Sequence, residues 1–265
     1  METIHWRGTW GVGDFMWALN VAHHWQKFYD PQVKLVMHWP HLEDHRETPK
    51  DPETIIERFN WLHKRYWVDK PISVEHEYQS QLFDRNSMSG DKKKKRYYFE
   101  SGYWHNAPPQ EWLFTPEELR KSRNDIKEKK IVYWTPTHNS ATPRKWKRLL
   151  TNDDWCDIIK ALSGEGWDCI ELTYRTPVEV AYNQIRNARL VLCYDGMWHK
   201  IARNFCKPMI IPSKQSVTRY NTPTAIRATT KQEFYRLIEN LDIEFAETRA
   251  NNQLREMARV LNYDF

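Results

Sequence analysis

An acidic residue stands beside a glycine-bearing turn near the start of the sequence. Gly11 and Gly13 let the main chain turn tightly and approach a ligand closely, and a helix that begins after such a turn offers free N–H groups to an anion. Asp14 at this turn is able to cap the helix or to accept a proton from a bound hydroxyl group. The spacing alone leaves both interpretations open. Arg7 and Trp10 belong to the same loop and are further candidates for ligand contacts.

A second loop, residues 135–148, combines hydroxyl side chains with a cluster of cations. Four of the five residues from 144 to 148 are Lys or Arg. Hydroxyl groups and cations together supply the hydrogen-bond donors and the positive charge that bind a pyrophosphate. The candidate ligands are Thr137, His138 and Lys145. A solvated basic loop is the alternative.

The third loop follows a short apolar run at residues 190–194 and leads into another predicted helix. The N-terminus of that helix and the ammonium group of Lys200 have the chemistry to bind phosphate groups. Asp195 is suited to positioning this lysine or a sugar hydroxyl, or simply to capping the helix. Gly196, between Asp195 and the helix, completes this group of candidates.

Predicted strands alternate with predicted helices along most of the sequence. The strands are residues 3–7, 33–38, 72–76, 131–135, 168–172, 190–194 and 209–212. The helices are residues 14–28, one that starts at 52, one that starts after 115, 153–162, 178–186, 198–205, and one from 231 to the end of the chain. Short apolar strands that alternate with amphipathic helices predict an α/β fold with a parallel sheet covered on both faces. Ligands bind such sheets at the carboxyl ends of the strands, and all three loops lie there.

The alternation occurs twice, and a charged stretch at residues 120–130 separates the two series. We therefore predict two Rossmann-like domains that face each other across a cleft, residues 1–128 and residues 129–265, the second with a C-terminal helix. Between residues 79 and 107 the pattern dissolves into polar residues. We expect a long exposed excursion there.

Composition narrows the class of protein without naming a ligand. A net charge of +5 and a pI near 8.9 favour anionic partners such as nucleotides, phosphates or nucleic acid. The four cysteines lie 13 or more residues apart, so we expect buried, reduced thiols and a cytoplasmic protein. We expect most of the 14 Trp and 13 Tyr side chains to pack in the core.

Several other function classes find no support in the sequence. We recognise no secretory leader, no membrane-spanning segment, and no P-loop, zinc-finger or nucleophile-elbow motif. His38, His41 and His45 have the composition of a metal cluster, but their spacing fits no known ligand pattern and Pro40 breaks any helix there. We expect no metal site. The basic run at residues 92–96 is interpreted as a solvated loop rather than a contact with nucleic-acid phosphates.

In their order and spacing, the three loops resemble the ADP-heptose:lipopolysaccharide heptosyltransferase family of GT-B glycosyltransferases. Residues 7–19 resemble the family's opening Arg…Gly-Asp-x-hydrophobic-x-Ala-Leu segment, which implies that Asp14 is the general base. Residues 144–146 resemble the Lys-x-Trp segment that opens the donor domain, which implies that Lys145 approaches the donor diphosphate. Residues 187–208 resemble the Ala-x-hydrophobic strand and the following Asp-Ser/Thr-Gly-x-x-His-x-Ala…Gly-x-Pro loop.

The last of these segments departs from the family's pattern. Aligned without gaps, Gly196 replaces the hydroxyl residue, Met197 the glycine and Lys200 the histidine. Cys206 stands where a glycine is usual. The resemblance therefore does not carry ADP-heptose over as the donor. The aromatic-rich opening is also similar to glycosyltransferase-like proteins of tailed phages.

The resemblance implies inverting, metal-independent transfer of a sugar from a UDP- or ADP-linked donor, without a further cofactor. It implies that the N-terminal half binds the acceptor and the C-terminal half the nucleotide-sugar. The acceptor is then a lipopolysaccharide-type glycan or, given the positive charge and the phage-like opening, a hydroxymethylated base of double-stranded DNA. A phage-encoded relative would act in the host cytoplasm. The alternative is a non-catalytic GT-B-like module that binds a nucleotide or a nucleic acid, which the altered loop at residues 195–197 motivates.

Overall fold

The computed structural model describes residues 3–7, 12–28, 30–40, 52–65, 72–79, 128–135, 149–173, 175–194, 197–205, 207–212 and 225–240, together with residues 248 and 252. The chain divides into two compact units, Met1–Phe114 and Thr115–Phe265. In each unit the described residues form parallel strands that alternate with helices, so the predicted α/β class is confirmed. The boundary at residues 128 and 129, and the cleft between two domains, stay predictions.

The first unit contains a three-stranded parallel sheet and two helices. In chain order its elements are β1 (Thr3–Arg7), α1 (Val12–Phe28), β2 (Lys34–Pro40), α2 (Pro52–Arg65) and β3 (Ser73–Gln79). The strands stand in the order β1-β2-β3. Both connections move to the next strand in the same direction, so right-handed crossovers place α1 and α2 on one face of the sheet. The rings of Phe15 and Phe59 join the two helices, with their centroids 4.9 Å apart.

Burial in this unit follows from the apolar spacing. In α1 the side chains of Phe15, Met16, Leu19 and Ala22 are fully buried, and they recur with the period of a helix, so one continuous face packs into the core. In the middle strand β2, residues 35 to 38 are buried in succession. Successive buried positions are typical of a parallel strand that is covered on both faces.

The second unit contains a five-stranded parallel sheet. In chain order its elements are β4 (Lys130–Trp134), α3 (Asn152–Gly164), β5 (Asp168–Glu171), α4 (Val178–Arg186), β6 (Leu190–Cys193), α5 (Met197–Asn204), β7 (Met209–Pro212), β8 (Ala225–Ala228) and α6 (Lys231–Glu239). The strands stand in the order β5-β4-β6-β7-β8. Counted from β4, this is the 2-1-3-4-5 order of doubly wound, flavodoxin-like sheets. The strands β6 and β7 are buried at every position, as their continuous apolar sequences predict.

Helices cover both faces of this sheet in two pairs. The helices α3 and α6 share one face, where the Trp155 and Phe234 rings meet edge to face at 5.9 Å between centroids. Tyr182 of α4 and Phe205, directly after α5, meet at 5.0 Å. The chain moves in opposite directions from β4 to β5 and from β5 to β6, so right-handed crossovers put α3 and α4 on opposite faces.

The end of the second unit departs from the sequence predictions in two places. The edge strand β8 is not among the predicted strands, because its four residues include Arg227 and lack a continuous apolar run. The last helix is predicted to continue to the end of the chain, but α6 ends at Glu239 and the helix is interrupted there. The cap residue of α6, Asn240, leaves helical geometry, with φ −109° and ψ 34°, and its side chain donates to the carbonyl oxygen of Arg236 at 2.9 Å. Residues 248 and 252 are again helical, and the other residues beyond 240 lie outside the described part of the chain. The helix predicted after residue 115 lies outside the described residues.

The expectation of buried cysteines is only partly correct. Cys156, Cys169 and Cys193 are free thiols. Cys193 in the central strand β6 is buried, whereas Cys169 is half-buried and Cys156 is exposed on α3, so the prediction is wrong for these two. Cys206 lies outside the described residues.

A carboxylate joins the start of α3 to the start of α6. Asp154 accepts a hydrogen bond from the backbone N–H of Thr151 at 2.8 Å, and its own N–H donates to the Thr151 hydroxyl at 3.2 Å, which forms a capping box. Asp154 also pairs with Lys231 of α6. Burial by itself would raise the pKa of Asp154, but the hydrogen bonds from Lys231 and Thr151 outweigh it, so the pKa lies below its ordinary value of 3.8. The charged form therefore stabilises the fold above pH 3.8, and this contribution is lost as the pH falls through the lower folded-state pKa.

The substitution Asp154→Asn should reveal this pH dependence. The amide keeps an acceptor oxygen for Thr151 but loses the charge, so we expect the free energy of unfolding at pH 7 to fall by about 1 kcal/mol, the difference between a charged and a neutral hydrogen bond. As the pH falls below 3.8 the unfolded chain takes up a proton first, and the native carboxyl follows at its lower pKa, so the difference should shrink toward zero. Urea denaturation between pH 7 and pH 3 measures it.

Asp157→Asn, at an exposed position of the same helix, is the control and should change stability by less than about 0.5 kcal/mol throughout. A difference for Asp154→Asn that stays constant with pH would contradict a role of the charge.

Candidate functional site

The strand order of the second unit creates a topological switch point at β4 and β6. From β4 the chain crosses to β5 on one side, and from β6 it crosses to β7 on the other. Connections that leave two adjacent parallel strands in opposite directions open a crevice at their carboxyl ends, and ligands of doubly wound sheets bind there. The last pair in this ladder is Trp134 with Cys193. Thr135 and Tyr194 therefore follow side by side at the edge of the crevice.

The connection from β4 to α3 is held at this edge at both of its ends. It starts after Thr135, which is buried. It ends before Leu150, whose backbone N–H donates to the hydroxyl of Tyr194 at 3.2 Å. The residues between them carry the predicted ligands Thr137, His138 and Lys145, which lie outside the described residues.

The helix α5 starts at the same edge, shortly after β6. Its first turn contains no acidic residue, so its free N–H groups and the positive end of its dipole are not neutralised from within the helix. Lys200 stands on this helix with only 5% of its surface exposed. A cation so deeply buried acts in a medium of low polarity, where its attraction for an anion is strengthened. Asp195 and Gly196, predicted beside it, lie outside the described residues.

An aromatic row lies beneath the start of α3, on one face of the sheet. The Trp155 ring stacks on Tyr133 of β4 at 6.1 Å and at an interplanar angle of 20°. It also meets the ring of Tyr194, with centroids 6.1 Å apart and an interplanar angle of 59°. Burial, followed by the nearby Glu171 carboxylate and the thiols of Cys169 and Cys156, raises the pKa of Tyr133 to about 12. The Tyr133 hydroxyl therefore keeps its proton at neutral pH, and its chemistry there is that of a neutral hydroxyl group.

One carboxylate at this edge is not among the candidates predicted from the sequence. Glu171 ends β5, lies opposite Tyr133 in the β4–β5 ladder, and is exposed. In doubly wound folds an acidic residue downstream of the first strand accepts hydrogen bonds from the ribose of a nucleotide. The sequence shows an acidic residue near the end of this predicted strand. It does not show that the strand lies next to β4.

The predicted residues of the first unit are only partly described. Arg7 is the last residue of β1, and Gly13 and Asp14 lie in the first turn of α1. Arg7 thus stands at the carboxyl end of β1, but the helix is predicted to begin at residue 14 and begins at Val12, so Gly13 and Asp14 lie inside its first turn and Asp14 does not precede the helix as a cap. The side chains of Arg7 and Asp14 lie outside the described part of the chain. Trp10 and Gly11 lie outside it altogether.

The described residues do not form a metal site. Among them, no group of three or more His, Cys, Asp or Glu side chains is arranged to hold a metal ion. His38 is buried in β2, while His41 and His45 lie outside the described residues. The Cys169 thiol, whose pKa is raised by burial, is protonated at neutral pH and is not an activated nucleophile. None of the described helices has the length and apolar character needed to cross a membrane.

No protein-family model matches the sequence, and no curated protein is significantly similar to it. Solved structures do match. The bacterial iron-containing dodecameric glycosyltransferase TibC from enterotoxigenic E. coli H10407 matches with a TM-score of 0.53 at 11% sequence identity, over 98% of this chain and 77% of TibC. The likeness shows a shared fold. An identity of 11% does not extend it to substrate or reaction.

Two further structures are similar at TM-scores below 0.5. The glycosyl transferase family 9 protein from Veillonella parvula has a TM-score of 0.49 at 11% identity, over 98% of this chain and 97% of that protein. The ADP-heptose lps heptosyltransferase II of E. coli has a TM-score of 0.43 at 13% identity, over 97% of this chain and 99% of that protein. We base no inference on either likeness.

Proposed function

We propose that the protein is a glycosyltransferase that moves a sugar from a nucleotide-sugar donor to an acceptor hydroxyl. One observation carries the proposal: the switch point of the second unit lies between β4 and β6, and two of the three loops selected from the sequence leave these two strands. The proposed donor ligands are Thr137, His138 and Lys145 after β4, and Asp195, Gly196 and Lys200 after β6. The shared fold with TibC, a glycosyltransferase by name, supports the same assignment.

In this proposal the chain itself supplies the positive charge for the departing diphosphate. The N–H groups at the start of α5 and the ammonium groups of Lys145 and Lys200 stabilise the negative charge that develops on it. Glu171 accepts hydrogen bonds from the ribose of the donor. No metal ion and no further cofactor takes part. The iron named for TibC is a property of that protein.

The N-terminal half is proposed to bind the acceptor, with Asp14 as the general base and Arg7, Trp10, Gly11 and Gly13 around it. The acceptor oxygen attacks the anomeric carbon from the face opposite the diphosphate, and the bond from that carbon to the diphosphate oxygen breaks. The Asp14 carboxylate takes the hydroxyl proton as the new bond forms. Attack from the opposite face inverts the anomeric configuration.

Two acceptors fit the proposal, and the protein acts in the cytoplasm with either. A lipopolysaccharide-type glycan follows from the resemblance to heptosyltransferases. A hydroxymethylated base in double-stranded DNA follows from the net charge of +5, which favours a polyanionic partner, and from the phage-like opening of the sequence.

A screen of nucleotide-sugars decides whether the protein is an enzyme. Incubation with UDP- and ADP-linked sugars, alone and with candidate acceptors, should release the nucleoside diphosphate from at least one donor. Binding of a nucleotide without turnover of any donor would favour the alternative, a GT-B-like binding module that has lost activity with its altered loop at residues 195–197.

Removal of the buried cation of α5 should weaken donor binding. We expect Lys200→Met to raise the dissociation constant of UDP or ADP about tenfold or more, because hydrogen bonds to charged groups contribute about 1.5–3 kcal/mol. Isothermal titration calorimetry measures this constant, and a thermal melt verifies that the variant is folded.

Lys160→Met is the control for the lost charge, because it removes a cation from an exposed position in the second half of α3. We expect its affinity to stay within about twofold of the unmodified protein, since salt screens an exposed, distant charge. Equal affinities of the two variants would remove Lys200 from the donor site.

Substitution of the proposed base should separate transfer from binding. We expect Asp14→Asn to lower the rate of transfer by about 10²–10⁴-fold, the usual contribution of general acid–base catalysis, and to leave the dissociation constant of the donor unchanged. Initial rates at saturating donor and calorimetric titrations measure the two effects.

Asp30→Asn is the control, since Asp30 accepts a hydrogen bond from the Gln32 N–H at 2.8 Å in the turn beyond α1, at the opposite end of that helix from Asp14. Its rate should equal that of the unmodified protein. Undiminished transfer by Asp14→Asn would exclude Asp14 as the base.

The two acceptor classes predict different responses to salt. If the acceptor is DNA, a duplex with hydroxymethylated cytosine should shift in a gel at low salt, and the shift should weaken steeply as the salt concentration rises, because contacts with phosphates release counterions. If the acceptor is a glycan, the duplex should not shift at physiological salt. A duplex without the modification shows whether the base itself is recognised.

A further inference from the structure

Tyr194 makes a buried hydrogen bond between two distant parts of the second unit. It directly follows β6, and 9% of its surface is exposed. Its hydroxyl accepts the backbone N–H of Leu150 at 3.2 Å, across 44 positions of the sequence. Leu150 is itself 2% exposed, so water does not compete for this N–H. Without the tyrosine hydroxyl, a buried donor would lose its acceptor.

The hydrogen bond lies where the connection from β4 returns to the sheet. After Leu150 the chain is already fixed, because Thr151 exchanges two hydrogen bonds with Asp154 at the start of α3. At the other end, β4 is fixed to β6 by the ladder that finishes at Trp134 and Cys193. The hydroxyl of Tyr194 thus makes one hydrogen bond that ties the returning end of the connection to the end of β6, at the edge of the crevice.

Packing fixes the ring of Tyr194 independently of its hydroxyl. The ring meets Trp155 at 6.1 Å. Trp155 is held in turn by stacking on Tyr133 and by the edge of Phe234 at 5.9 Å. A phenylalanine ring would fill the same space, so a single oxygen atom can be removed without emptying the core. Rings that are locked by packing hold a polar group in one position, which is what a binding site requires of its supporting residues.

We propose that Tyr194 is a positioning residue of the donor site. It holds Leu150, where the chain enters the start of α3, against the end of β6. In the proposed function the connections after β4 and after β6 both supply donor ligands, and this hydrogen bond joins the last residues of the one to the first residue of the other. This role rests on the proposed function. Tyr194 does not act on the reacting atoms, so its loss should weaken donor binding without slowing the chemical step.

Tyr194→Phe tests the role with two readouts, one of which needs no substrate. Hydrogen exchange of the Leu150 amide, followed by NMR or by mass spectrometry, should become about tenfold faster. The KM for the donor should also rise about tenfold. Each change corresponds to about 1.4 kcal/mol on its equilibrium. We expect kcat to stay unchanged. A purely structural role would lower the melting temperature and leave the KM as it was.

Tyr182→Phe is the matched control. Tyr182 is 3% exposed on α4 and packs on Phe205, on the other face of the sheet, so its variant loses the same atom from an equally buried ring. It should change neither the exchange of Leu150 nor the donor KM. The same KM for Tyr194→Phe as for the unmodified protein would overturn the proposal, whether or not exchange is faster.

Failure of the proposed function gives a different result. If the unmodified protein neither binds nor turns over any nucleotide-sugar, the donor site does not exist and the positioning role falls with it. The exchange measurement still decides whether Tyr194 holds Leu150. Unchanged exchange in Tyr194→Phe would overturn that contact on its own.

Discussion

The pairing of β4 with β6 is the interaction on which the second unit depends. Four consecutive pairs, from Ile131 with Leu190 to Trp134 with Cys193, join two strands between which the chain passes through β5. Because β4 takes β5 as its neighbour on the other side, the chain leaves the centre of the sheet in two directions. The connections after β4 and β6 then begin at one crevice. If β4 paired only with β5, the connections that follow β4 and β6 would not begin side by side at the carboxyl end of the sheet.

The helix α5 shows how the fold and the candidate site constrain each other. Nearly all of its residues are buried, including His199 and Lys200, although a buried cation is unfavourable unless other groups compensate its charge. In other proteins, replacing buried charged groups by apolar residues of similar volume is often neutral or stabilising. In the proposed function, Lys200 is a departure from apolar core packing of the kind expected at functional sites.

Aromatic side chains pack in the core beside the carboxyl ends of β4 and β6. Trp134, Trp155, Trp198 and Tyr194 are all buried, so the expectation of core packing is confirmed for them. Their rigid rings fill the space between the sheet and the helices and leave few positions for the polar atoms at their edge. The hydroxyl of Tyr194 therefore meets the Leu150 N–H in a fixed geometry. The stability of the aromatic row and the shape of the crevice depend on the same contacts.

The sequence by itself determined most of the segments that become strands and helices, because hydrophobic periodicity and capping residues act over a few neighbours. The ends of α4 and β7 were predicted correctly for this reason. The choice of the turns after strands as places for ligands stays a prediction. Only the tertiary structure decided the order of the strands, which depends on the apolar faces that pair across tens of residues. It therefore also decided that Glu171 stands beside Tyr133, that β8 joins the sheet as an edge, and that Tyr194 reaches Leu150. No local pattern encodes these neighbours, since each is the product of a contact between segments far apart in the chain.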